Sequence, residues 1–200
     1  ARGIKFEWII DEGLTILDGY LDYINGPMAV LGIVEKGFLT LELTARDPGG
    51  HSSTPRADTA VSKLARAVER VQSNPFPIEI DPEDAARIRA TAGEMPLLDR
   101  LMAANLWLFE PIVKANLVKS PYTAAQFRTT TAATVFNAGT KENILPQEAK
   151  ALSNFRLHPR DTVDGVVERT RNLIADDSID VQISAVPSNP PVPSNIDGTA

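Results

Sequence analysis

The residues best suited to chemistry in this sequence fall in three short stretches. Gly49-Gly50-His51-Ser52-Ser53-Thr54-Pro55 lies between a predicted strand and a predicted helix, where glycine permits tight turning and hydroxyls can bond nearby backbone groups. Histidine is the side chain most readily used for proton transfer or oxyanion stabilisation, so His51 is a candidate catalytic residue; the plainer alternative is a decorated loop. The second stretch is Asn143-Ile144-Leu145-Pro146, followed on the next strand by Asn154-Phe155-Arg156. By composition alone it reads as a turn asparagine and a solvent-facing arginine. The third, Ile9-Ile10-Asp11-Glu12-Gly13, places an acid at the end of a buried strand, where such acids often cap the following helix. Cysteine is absent, which rules out disulfides and thiolate sites; any metal must be held by His, Asp or Glu.

The elements that position these stretches follow from periodicity. Ile4 to Ile10 reads as a strand buried on both faces, with no preceding Met or leader, so the N-terminus reads as truncated. Leu39, Leu41, Leu43 and Ala45 alternate with Thr40, Glu42, Thr44 and Arg46, which predicts a half-buried strand. A turn at Asp47-Pro48-Gly49-Gly50 leads to a helix with Asp58 as N-cap and Val61, Leu64, Ala65, Val68 and Val71 on its apolar face. Residues 81–120 read as an insertion of short helices punctuated by Pro96 and Pro111, with an apolar patch at Leu97 to Met102 and Leu106 to Phe109. Strands are predicted over Arg128 to Phe136 and Glu148 to Leu157, a helix from Val163 to Ile174, and a last strand from Ile179 to Ala185. The proline-rich tail from Pro187 to Ala200 reads as linker.

The resulting order, β-α-(insertion)-β-β-α-β, predicts an α+β fold of ferredoxin-like type: a four-stranded antiparallel sheet with two helices on one face and a helical insertion. Two hundred residues suffice for one good core with an appended segment. Twenty Lys and Arg against 26 Asp and Glu give a formal charge of −6, so no basic surface points to nucleic acid or an anionic membrane. The longest apolar run, Met28 to Val34, is interrupted by Gly32 and far too short to span a bilayer.

A ferredoxin-like sheet implies no function by itself. The motifs do, taken together and in order: Asp11-Glu12-Gly13, Glu35-Lys36-Gly37, Gly50-His51-Ser52-Ser53, Trp107-Leu108-Phe109-Glu110-Pro111, Arg128-Thr129-Thr130-Thr131, Asn143-Ile144-Leu145-Pro146 and Asn154-Phe155-Arg156-Leu157-His158-Pro159. Over nearly the whole chain they resemble the carboxypeptidase S branch of metallopeptidase family twenty, relatives of aminoacylase, glutamate carboxypeptidase and succinyl-diaminopimelate desuccinylase. Leu14 departs from the pattern, where that branch often has a second glycine.

The resemblance implies a lid, or dimerisation, domain inserted into a dizinc hydrolase that cleaves the amide of a peptide or N-acyl amino acid with a free carboxylate. Residues 1–32 would end a catalytic segment, 33–186 form the lid and 187–200 return to the catalytic domain. Asp11 would be a metal ligand, His51 the lid histidine that enters an active site, and Asn143 and Arg156 a substrate-binding pair lying close together. Zinc is the implied cofactor, two ions in the intact enzyme; the remaining ligands and the general base would lie outside this sequence, leaving the fragment alone without zinc and inactive. A homodimer through the lid is implied, with His51 reaching across it or across an interdomain cleft. The competing expectation is a stand-alone ferredoxin-like binding or dimerisation module without enzymatic ancestry.

Overall fold

The computed structural model describes residues 16–18, 26–29, 32 and 34–193. The predicted strand at Ile4 to Ile10 and the acid Asp11 lie outside the described residues. In chain order the elements are β1 (Ile16–Asp18), β2 (Pro27–Ala29), β3 (Gly37–Arg46), β4 (Gly50–His51), α1 (Ala60–Ser73), α2 (Pro82–Thr91), α3 (Leu97–Ala104), α4 (Leu106–Leu117), α5 (Pro121–Gln126), β5 (Thr130–Ala138), β6 (Ile144–Leu145), β7 (Glu148–Leu157), α6 (Val163–Ile174) and β8 (Ile179–Ile183). They belong to two compact units: residues 34–79 with 117–193, and a unit that contains 80–116 and the β1–β2 hairpin.

In the first unit β3, β5, β7 and β8 form an antiparallel sheet in the order β5-β7-β3-β8. Relative to chain order this is 2-3-1-4, the ferredoxin-like arrangement that the periodicity predicted. Leu39, Leu41, Leu43 and Ala45 of β3 and Ala149, Ala151, Phe155 and Leu157 of β7 point to one face and are buried there with Leu64, Val71, Val166 and Ile174 of α1 and α6. Burying each such large apolar side chain contributes roughly 1.5–3 kcal/mol. The opposite face carries the even-numbered positions, among them Arg46, Glu148, Lys150 and Arg156. There Arg46 pairs with Glu148 at 3.2 Å and Lys150 with Glu42 at 3.0 Å.

Several local expectations change. Thr59, not Asp58, caps α1: its hydroxyl accepts from Ser62 N–H at 3.2 Å while Ser62 Oγ accepts from Thr59 N–H at 2.8 Å, a reciprocal capping box. Asp58 instead pairs with Arg66 at 2.7 Å. The buried stripe of α1 is Ala60, Leu64, Ala67 and Val71, and Val61 and Ala65 turn outward. Thr162 caps α6. Strand β5 runs two residues later than predicted, and β8 ends at Ile183. The tail does not leave the sheet at Pro187, because Phe38 and Ser188 exchange two backbone hydrogen bonds of 2.9 Å and Asn189 Oδ1 accepts from Val163 N–H at 2.8 Å.

In the second unit, Asp81 caps α2 by accepting from Asp84 N–H at 2.9 Å. Pro111 lies inside α4 instead of ending it. The stripes these helices turn outward are largely uncharged. They include Leu97 and Leu98 of α3 and Trp107, Leu108 and Ile112 of α4, with Trp107 80% exposed.

Candidate functional site

His51 is placed by backbone pairing and not by burial. Strand β4 pairs antiparallel with β6, setting Gly50 opposite Leu145 and His51 opposite Ile144. The base of this ladder is fastened by Asp47 N–H to Gln147 C=O at 2.9 Å, Gly49 N–H to Asp47 Oδ1 at 2.9 Å and Gln147 Nε2 to Pro48 C=O at 3.2 Å. Gly49 adopts φ +74°, and a Cβ there would stand 2.9 Å from Leu145 O and 2.9 Å from Gln147 Cγ, so a side chain would clash with the strand that supports His51. Beyond the ladder, Thr54 N–H closes a turn onto His51 C=O at 3.2 Å. The imidazole is exposed, and its Nδ1 lies 3.2 Å from Ser53 N and 2.8 Å from Ser53 Oγ.

Asn143 belongs to the same ladder: its carbonyl accepts from Ser52 N–H at 3.1 Å, and the residue is exposed. The fold therefore joins two sequence-predicted residues that are 92 positions apart, His51 and Asn143.

Arg156 stands elsewhere. It lies near the opposite end of β7, opposite Phe38 of β3 and Thr130 of β5, with its guanidinium over the Phe38 ring at 5.2 Å from the centroid. Eight residues separate Glu148 from Arg156, about 26 Å of extended strand. The four residues leading back from Glu148 to Ile144 span at most about 14 Å. The expected closeness of Asn143 and Arg156 is therefore not found within one chain. Their short separation in sequence follows the strand, whose extended geometry carries the two groups apart.

Around the Arg156 end sits a group that the sequence motif did not explain. Lys36 donates from Nζ to the carbonyls of Ala125 and of Arg128, the latter at 2.7 Å, and so ties the end of α5 to the start of β3. Burial above all, then the cations Arg160 and Arg128, lower its pKa from 10.5 to about 8, against the opposing charge of Asp161. Thr129 Oγ1 accepts from His158 N–H at 2.7 Å and donates to the Asp161 carboxylate. Glu35-Lys36-Gly37, Arg128-Thr129-Thr130-Thr131 and the His158-Pro159 end of the last motif carry members of this cluster, but nothing in the sequence signals that they meet. The Ser53 contacts gave no signal beyond the serine's place in the loop.

Residues 33–181 match the model of the peptidase dimerisation domain. The chain belongs to that family. It is 42% identical to an N-fatty-acyl-amino acid synthase/hydrolase of Xenopus tropicalis, over 96% of this chain and 38% of the relative. It is 40% identical to a probable carboxypeptidase S-like protein of Dictyostelium discoideum, over 94% of this chain and 37% of the relative. The chain thus spans well under half the length of the curated relatives it matches. A solved metallo-carboxypeptidase of Sulfolobus solfataricus is similar at 18% identity and a TM-score of 0.49, covering 75% of this chain and 43% of that one. The dimerisation domain and the carboxypeptidase S-like kinship are those the motifs implied.

Proposed function

We propose that this domain is the lid of a zinc-dependent amidohydrolase cleaving N-acyl amino acids or peptides with a free carboxylate, with residues 33–186 forming the lid between catalytic segments. The observation that carries the reading is the shared ladder of His51 and Asn143: it fixes the backbone of both residues while leaving their side chains exposed, the arrangement needed to enter an active site on another body. The names of the relatives supply the reaction class. Asp11 would contribute one carboxylate oxygen to the metal centre, a donor that suits zinc, and the family resemblance puts the remaining ligands outside this sequence. When bound, the ions supply an activated water and polarise the scissile carbonyl.

The roles of this chain's own side chains follow from their chemistry. Arg156, whose guanidinium lies over Phe38, grips the substrate carboxylate through two parallel hydrogen bonds. His51 donates to the oxyanion that develops on the carbonyl, and Asn143 binds beside it.

Dimerisation through β5 fits the same reading. This nine-residue strand forms one edge of the sheet, is exposed from Ala132 onward, and carries no Lys, Arg or Pro to keep a second strand away. Pairing with β5 of a second copy would extend the sheet and cover Val135 and Phe136. Each active site would then take His51 and Asn143 from one lid and Arg156 from the other.

The test is hydrolysis of N-acyl amino acids by the full-length protein with zinc. His51→Ala is expected to lower turnover by about 10²–10³-fold with little change in zinc content. Arg156→Lys is expected to weaken use of the free acid and to leave hydrolysis of the carboxamide-blocked substrate unchanged. Full activity of His51→Ala would remove the oxyanion role.

A further inference from the structure

We propose that Ser53 is a positioning residue for His51, holding the imidazole in the tautomer that carries its proton on Nε2. A backbone amide can only donate, so the 3.2 Å contact from Ser53 N to His51 Nδ1 assigns a lone pair to that nitrogen. Ser53 Oγ, 2.8 Å from the same atom, then donates to it as well. A neutral imidazole whose Nδ1 accepts carries its hydrogen on Nε2.

The local fold builds this contact from both sides. The pairing of His51 with Ile144 fixes the histidine backbone, and the turn closed by Thr54 N–H onto His51 C=O brings Ser53 to the Nδ1 edge of the ring two positions earlier. The residue is exposed, and with Nδ1 engaged by Ser53 the nitrogen left for a partner is Nε2–H. The consequence is chemical: the ring presents a hydrogen-bond donor and no basic lone pair at that edge. This inference rests on the reading of His51 as an oxyanion donor and deepens it, since a developing oxyanion requires a donor, whereas a general base would need the lone pair on Nε2.

The experiment uses full-length protein labelled with 15N-histidine, with His51 assigned through His51→Gln. Long-range 1H–15N correlation at a pH where the ring is neutral reports which nitrogen holds the proton. Wild type and Ser53→Thr are expected to show Nε2–H as the single neutral tautomer. Ser53→Ala, which keeps the amide but loses the hydroxyl, is expected to add an Nδ1–H population and to lower turnover about fivefold at constant KM, the scale of one net hydrogen bond. An Nδ1–H ring in the wild type would overturn the proposal. So would a tautomer ratio unaltered in Ser53→Ala. If the tautomer shifts in Ser53→Ala while neither that variant nor His51→Ala loses turnover, the positioning stands and the oxyanion reading falls.

Discussion

Two inactive variants of the full-length protein, His51→Ala and Arg156→Ala, are expected to recover activity when combined in one dimer. Strand β7 places the His51–Asn143 ladder beyond one end and Arg156 near the other, with about 26 Å of strand between Glu148 and Arg156. Even a connection folded straight back would leave a gap of about 12 Å between Ile144, the partner of His51, and Arg156. In an N-acyl amino acid the carboxylate and the scissile carbonyl are joined through only the nitrogen and the α-carbon. In the proposed dimer Arg156 of one lid meets the first and His51 of a second lid, related by a twofold axis, meets the second. In a hybrid dimer one site then receives both altered residues and the other receives both native ones. Random assortment of equal amounts makes half of the dimers hybrid, each with one working site in two, for about a quarter of wild-type activity. Hybrids purified through two different tags should reach about half. The assay is hydrolysis of an N-acyl amino acid after co-expression, compared with the sum of the separately expressed variants. Activity no greater than that sum, in hybrids shown to have formed, would refute the division of residues between lids and place His51 and Arg156 in the service of one chain.

Gly37→Ala should unfasten the tail, because a Cβ there would stand 2.5 Å from Ser188 O and 2.7 Å from Pro190 Cδ; urea unfolding is expected to show a loss of about 1–3 kcal/mol, and an unchanged midpoint would mean that the strap yields freely. Lys36 should give stability a distinct pH dependence: its proton leaves near pH 8 in the fold but near 10.5 when unfolded, so the unfolded chain binds more protons between those values and stability rises with pH across that window. The neutral amine still has two hydrogens for the carbonyls of Ala125 and Arg128. Urea unfolding at pH 7 and pH 9.5 should show this rise in wild type and not in Lys36→Met; equal slopes would refute it.

The sheet and its helices were legible because their signals are local. Alternation along Leu39 to Ala45 and helical spacing from Val163 to Ile174 each reflect one buried face, and pattern alone reports such a face. Helix ends were less legible, since Asp58, Thr59 and Thr162 are all capable caps. What selected Thr59 was the reciprocal bond with Ser62 and the diversion of Asp58 to Arg66. The inward stripe of α1 was set by its packing against the sheet and α6.

The sequence singled out His51, Asn143 and Arg156 through the family motifs, since residue type alone read the last two as a turn asparagine and a solvent-facing arginine. It did not show their grouping. His51 and Asn143 became neighbours only through the β4–β6 ladder, a contact between distant segments that no local period records. Arg156, thirteen positions from Asn143, was carried to the other end of β7 because an extended strand separates by length what the sequence lists close together. The proposed proton position on His51 likewise depends on a turn, which sets a backbone donor at one ring nitrogen and leaves the other without that contact.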